Sequence, residues 1–361
     1  MNIVFVNSSW PQSWGGGEKW TVEAAQWFQQ RGDEICVIGR PRSKLIAAAQ
    51  GRNLKTIEYR FGGDFDPLAI LKARKLLHEA NAELAVVNFN KEAWQFGLAS
   101  KRLKIPIIAR HGFPLLRDTV HHRRLVQNVL TRLIVNARSI KDNYAHLGFD
   151  VSRVKVIHNG VQFLTQRQGE LRRRFNIQPD EILILAAGRI ESQKRFDRVI
   201  EIARVRVPVH PKLRFLIAGE GPMRESLEAE IRTHDLSDHV SFTGFIPDLA
   251  EIIGDADLFL LTSDDEGTPN VLLEAMAAGV PSLAFAVGAV PDIMTETLSS
   301  NCVAAGDVPA MAIRVRDLIE HPDWRKSTAS GMRKRIQDNF TFEHSMQQYS
   351  EQFDQVLQER K

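Results

Sequence analysis

The chain of 361 residues is 43% apolar and 25% charged, the balance of a soluble globular protein, and it is too long for one ordinary core. No run approaches the roughly 18 apolar residues of a membrane-spanning helix, and Cys36 and Cys302 alone offer neither a disulfide framework nor a cysteine metal site, so a reducing, cytoplasmic setting is the expectation. Net charge is +3, yet residues 1–162 carry 24 Lys and Arg against 13 Asp and Glu, leaving 23 against 31 in the remainder. A basic half thus precedes an acidic one, and charge alone fits either an anionic partner surface or plain solvation.

The opening "MNIVFVNSSW" lacks a basic leader and reads as a first strand (2–8) rather than a signal peptide. The glycine-rich "SWGGGEKW" follows, then a helix over 18–31 with Trp20, Ala24, Trp27 and Phe28 on one face, ended by Gly32. Further strands are expected at 34–39, 54–59, 83–89, 105–110, 132–137 and 154–159. A second series restarts at 181–188 and continues at 213–219, 239–245, 257–263 and 281–287. Helical patterns fill most gaps in both series, which indicates mostly parallel sheets with helices on both faces. The economical architecture is two doubly wound α/β domains, 1–162 and 163–342, facing across a cleft. The terminal amphipathic helix, 343–361, is expected to pack back on the first.

Ligands of such sheets bind just beyond strand carboxyl ends. Four unusual segments are expected there: "GGGEKW", "RHGFP" (110–114), "GRIESQK" (188–194) and "DDEGTPN" (264–270). In the last, Thr268 reads as a helix cap and Pro269 as its first turn, so that Asn270, Val271 and Leu272 offer free N–H groups to an anion. Glu266 precedes that start, and Glu274 lies inside the helix among apolar neighbours, where it reads as buried and in need of partners. A capped helix with Glu274 in an internal salt bridge is the alternative. Arg189 and Lys194, a planar fork and a mobile point charge, suit a diphosphate if they converge. Glycines in "GGGEKW" permit close backbone approach, or simply a tight turn, and the dinucleotide pattern G-x-G-x-x-G is absent. No metal set is evident.

With these segments in order, the chain resembles family 4 of the retaining glycosyltransferases, which have the two-Rossmann-domain GT-B architecture. The family's Glu-x7-Glu motif matches Glu266 to Glu274 in "EGTPNVLLEAMAAGVP", and "AAGRIESQKRFDRVIEIA", "LRFLIAGEGPMRESLE" and "VSFTGFIPDLAEIIGDADLFLLTS" match the wider pattern. The first half matches only at "GGGEKW" and "RHGF". The resemblance implies that Arg189 and Lys194 bind a donor diphosphate with the backbone of Gly16 and Gly17, and that Glu266 holds a hydroxyl of the sugar. It further implies N–H groups from Asn270, Val271 and Leu272 on phosphate, a turn shaped by Gly267, Thr268 and Pro269, and Glu274 on the ribose. Phe245 and Ile246 would lie against the base, and His111 would support catalysis near the sugar. Two departures stand out: Gly288–Ala289–Val290–Pro291–Asp292 replaces Gly-Gly-x-Pro-Glu, and Arg195 stands where a glycine commonly follows the lysine.

The expected function is transfer of a sugar from a UDP-, GDP- or ADP-linked donor to a glycan or lipid-linked acceptor, as in lipopolysaccharide or other envelope polysaccharide synthesis. No cofactor or metal is expected, and no nucleic-acid partner. A nucleotide-sugar-binding regulatory subunit, or an epimerase of the same fold, is the alternative. The segment 115–132, with Arg117, Arg123, Arg124 and Arg132, reads either as a basic amphipathic face for an anionic membrane or as an ordinary solvated helix.

Overall fold

Strands covered on both faces require continuous apolar runs, while edge strands carry mixed ones, and both kinds of run occur here. In the first unit they form β1 (Asn2–Asn7), β2 (Glu34–Gly39), β3 (Lys55–Glu58), β4 (Leu84–Val87), β5 (Ile107–His111), β6 (Arg132–Val135) and β7 (Val154–Val156), ordered β3-β2-β1-β4-β5-β6-β7. In the second they form β8 (Ile182–Ala187), β9 (Leu213–Ala218), β10 (Val240–Gly244), β11 (Leu258–Leu261), β12 (Ser282–Phe285) and β13 (Cys302–Val303), ordered β10-β9-β8-β11-β12-β13. Every pairing is parallel, so helical crossovers join the strands. The strand order reverses between β1 and β4 and again between β8 and β11, the switch points of the two sheets. Only β13, two residues long, had no counterpart in the expected strands.

The structure, a computed structural model, describes residues 1–88, 90–112 and 120–359. Its two compact units are Met1–His158 with Ser345–Lys361, and Asn159–His344. The first helix, Gly16–Gln30, buries Trp20, Ala24 and Phe28, while Trp27 is half-buried; it starts two residues before the expected position. Tyr349 and Phe353 of the terminal helix Phe342–Gln358 cover that apolar stripe. Phe353 stacks on Phe28 at 4.9 Å between ring centroids, and Tyr349 meets Trp20 at the same separation. Arg132 reinforces the seam, donating to Glu359 Oε1 at 2.7 Å and to Gln352 Oε1 at 2.9 Å.

Of the segment 115–132, residues 120–132 are described, and their basic side chains do not all lie on one helix. The helix is Val120–Asn128, and Arg132 belongs to β6 and is buried. Arg123 is spent locally, donating to the carbonyls of Leu147 at 2.6 Å and Gly148 at 2.9 Å. Arg124 stays exposed, and Arg117 lies outside the described residues. Local carbonyl acceptors and the strand start, which the charge pattern could not show, draw these cations off the surface. Among the described residues no helix is long and apolar enough to cross a membrane.

Candidate active site

In the second unit, β8 and β11 lie side by side, and the segments leaving their carboxyl ends carry Lys194 and Glu266. Glu266 is the enclosed acid of the pair, 6% exposed. Its Oε1 accepts from Lys194 Nζ at 2.5 Å and from Ser263 Oγ at 2.7 Å. A carboxylate removed from water needs such partners, and so does the half-enclosed ammonium. The loop is backed by tight backbone contact. Gly288, at φ 56°, lies where an added Cβ would come within 2.0 Å of the Glu266 carbonyl oxygen, so no larger residue fits. Gly219 is equally constrained against Gly188 at the ends of β8 and β9, where a Cβ would sit 1.8 Å from the Gly188 oxygen.

Glu274 is not enclosed as its neighbours in sequence implied. In the helix Asn270–Ala277, Leu272, Leu273, Ala275 and Met276 are buried, whereas Val271, Glu274 and the C-cap Ala278 just past its end are only half-buried. Those three positions, spaced by three and four, form one stripe that leaves the core. A run of apolar letters concealed a helix with one accessible edge.

The start of this helix also differs from expectation. Pro269 occupies the cap position and no side chain caps the helix. Thr268 is one residue too early, and its Oγ1 instead accepts from the Asn159 N–H at 3.4 Å. The Leu272 N–H already donates to the Pro269 carbonyl at 3.1 Å, so it is not available as expected. Asn270 and Val271 remain as the first-turn amides that a helix start leaves without intrahelical acceptors. The Asn270 side chain is held by Asn159, whose Nδ2 donates to Oδ1 at 2.8 Å. Gly267 is buried and its carbonyl accepts from Ala289 N–H at 3.0 Å.

Arg189 does not converge with Lys194 in this state. Its side chain is 68% exposed and pairs with Glu191 at 2.9 Å. Such an exposed pair is weak, so the long side chain turns at little cost. Beyond the edge strand β10, Phe245 is 70% exposed while Ile246 is buried. An exposed aromatic at the carboxyl end of a strand is suited to stacking.

In the first unit, Gly16 and Gly17 form the first turn of the helix Gly16–Gln30, and Glu18 Oε2 accepts the Gly15 N–H at 2.9 Å. A Cβ at Gly17 would meet nothing within 4 Å. His111 ends β5, and its Nδ1 lies 3.1 Å from the Tyr144 hydroxyl, which in turn lies 2.8 Å from His122 Nε2. The single hydroxyl proton is donated to one ring while the other ring donates back, so the two tautomers are coupled. Burial of the ring, with His122 and Arg110 nearby, pushes the His111 pKa down to about 3. The imidazole is therefore neutral at physiological pH. In a nuclear magnetic resonance titration, the His111 ring signals should not move between pH 8 and 5, whereas exposed histidines shift near 6.5. The sign for stability follows: the unfolded chain protonates this ring first, so its contribution is full above about 6.5 and declines as pH falls toward 3. A ring shift centred near 6.5 would contradict this environment.

Sequence reasoning missed Ser263, Asn159 and Tyr144. Ser263 had a weak signal, three residues before Glu266, but nothing local marks Asn159 or Tyr144. Among the described residues, no group of three or more His, Cys, Asp and Glu side chains is arranged to hold a metal ion.

Two parallel α/β units, with an anion-competent helix start beside a Lys–Glu pair at a switch point, define a protein of the GT-B glycosyltransferase class. The family model described as "Glycosyl transferases group 1" matches residues 167–337, and "Glycosyltransferase Family 4" matches 14–163. The chain belongs to this group 1, family 4 type of glycosyltransferase. It is 26% identical over 212 residues to the N-acetyl-alpha-D-glucosaminyl L-malate synthase of Bacillus anthracis, covering 58% of this chain and 55% of that protein. It is 29% identical over 167 residues to the putative colanic acid biosynthesis glycosyltransferase WcaL of Salmonella typhimurium, covering 44% and 41%. The chain spans about half the length of the curated relatives it matches. Its fold is similar to that of Anabaena Alr3699/HepE in complex with UDP, with a TM-score of 0.87, 19% identity, and 98% and 100% of the two chains covered.

Proposed function

We propose that the protein transfers a sugar, with retention of anomeric configuration, from a nucleotide diphosphate to an acceptor hydroxyl in the synthesis of an envelope polysaccharide. The observation that carries this reading is the enclosed Lys194–Glu266 pair at the switch point of the second sheet, in the same loop that leads into the Asn270 helix start. As the bond from the sugar C1 to the leaving oxygen breaks, negative charge grows on the diphosphate and positive charge on the ring. Lys194 and the amides of Asn270 and Val271 supply positive potential for the first of these, and Arg189 joins them on turning away from Glu191. Glu266 accepts from a sugar hydroxyl, and its anionic charge favours the cationic ring. Glu274, half-buried on the stripe of the same helix that leaves the core, is suited to the ribose hydroxyls.

Neutralising the leaving group with side chains and amides makes a metal unnecessary in this scheme. The departing phosphate oxygen takes the proton of the attacking acceptor on the same face, so no separate base is required. His111, neutral and held by Tyr144, contributes a hydrogen bond rather than a charge. The UDP bound to HepE supports a uridine nucleotide, and the naming of WcaL for colanic acid synthesis supports an envelope glycan as acceptor.

Thermal unfolding in the presence of UDP-, GDP- and ADP-sugars tests the donor. A ligand at about a hundred times its Kd stabilises by about 2.7 kcal/mol. For a domain of this size that corresponds to a rise of roughly 5–10 °C in the melting temperature. One base should give this rise and the others little. Turnover that needs an acceptor then excludes an epimerase, and binding without turnover on any acceptor would point to a regulatory subunit. No shift with any sugar nucleotide would remove the reading.

A further inference from the structure

Arg195 follows Lys194 directly and holds φ 50°, ψ 48°, a left-handed conformation that costs a residue with a Cβ and costs glycine nothing. Its side chain is fully engaged. Nε and Nη2 grip Asp197, the latter at 2.8 Å, while Nη1 reaches Asp264 Oδ2 at 2.9 Å. The other oxygen of Asp264, Oδ1, is taken by Arg198 Nη2 at 2.7 Å. Arg198 is itself buried, donating to the Thr262 carbonyl at 3.0 Å and lying over the Phe285 ring. Burial works against ionisation of Asp264, but the two guanidiniums outweigh it and hold the carboxyl below its usual range.

The backbones of the same two loops are joined as well. The Asp264 N–H donates to the Gln193 carbonyl at 2.9 Å, Gln193 Nε2 to the Asp265 carbonyl at 2.6 Å, and Thr262 Oγ1 to the Lys194 carbonyl at 3.1 Å. These bonds join Gln193 and Lys194 on one loop to Thr262, Asp264 and Asp265, which run up to Glu266, on the other. Ion pairs this exposed add little to stability, since the Asp264 side chain is 48% exposed and that of Arg195 35%. What a forked, doubly anchored contact does supply is geometry.

We infer that Arg195 is a positioning residue, which clamps Asp264 together with Arg198 and so sets the loop of Glu266 against the loop of Lys194. The inference rests on the proposed donor site, because it assigns the clamp the task of spacing the cation that meets a diphosphate from the acid that meets the sugar. A strained backbone is kept here for the sake of the side chain it presents.

The test compares Arg195→Gly, Arg195→Lys, Asp264→Asn and the Arg195→Gly/Asp264→Asn double variant with the wild-type chain. Calorimetric titration with UDP, GDP and ADP reads affinity, and hydrogen exchange reads the loops without any ligand. Arg195→Gly should melt within a few degrees of wild type, since glycine relieves the backbone while weak pairs are lost. It should nevertheless bind the nucleoside diphosphate about tenfold more weakly and exchange the amides of 262–266 at least about tenfold faster. Arg195→Lys keeps the charge without the fork and should rescue little. The double variant should be no worse than the worse single one, as expected of residues acting as a unit. Unchanged exchange over 262–266 in Arg195→Gly, or additive losses in the double variant, would overturn the inference. If wild type binds none of the three nucleotides, the donor reading fails, and the exchange measurement still decides whether the clamp exists.

Discussion

Lys194→Ala is expected to lower the rate of sugar transfer by a factor of about a hundred or more, the usual consequence of removing one group that stabilises a developing anion. The same substitution should also destabilise the second unit. Glu266 would keep Ser263 but lose its cation, and breaking one side of a buried pair costs about 3–5 kcal/mol. Single-turnover rates and denaturant unfolding measure the two effects separately, with assays run where circular dichroism shows the variant folded. Arg189→Ala is the informative contrast. Its side chain is largely exposed, so transfer should fall while stability is unchanged. Near-normal transfer in both variants would remove the electrostatic account.

Glu266→Gln should separate binding from chemistry. Glutamine preserves the length of the side chain and can still accept from Ser263, but it no longer neutralises Lys194. The freed positive charge should tighten binding of the nucleoside diphosphate alone, by an amount on the order of tenfold, because a charge interaction at this distance is strong inside a protein. Transfer should nevertheless drop by about a hundredfold, since the proposed reaction relies on this anion beside the sugar ring. Tighter nucleotide and slower transfer in one variant is a signature that a merely misfolded loop does not give. Weaker binding in Glu266→Gln would mean that the carboxylate is not competing for Lys194.

The parallel sheets were readable because covered strands leave apolar runs, and twelve of the strands overlap the expected ones, although the edge strands β3 and β10 are more polar and only partly covered. The two-residue β13 was not readable, since it is too short to carry a period. The segment ahead of the Asn270 helix was recognised as a helix start from Thr268 and Pro269, but the cap fell on the proline. One residue of shift moves a side chain out of reach of the amides it was expected to cap. Arg189 was placed with Lys194 from their position at a strand end and from the family likeness, whereas in this state it pairs with Glu191, two residues on.

By itself the sequence determined the alternation of strands and helices and the family likeness, because each of these depends on local periodicity and local motif. The glycines that admit no side chain, Gly219 and Gly288, are instead fixed by carbonyls from other segments. Only the tertiary structure decided which of the two glutamates is enclosed. The acid surrounded by apolar letters lies on the accessible edge of its helix. The acid in a polar loop is buried, because a lysine 72 residues away and a serine three residues away reach it. Burial of this charge is settled chiefly by Lys194, which the fold brings from elsewhere in the chain and of which the residues next to Glu266 carry no record.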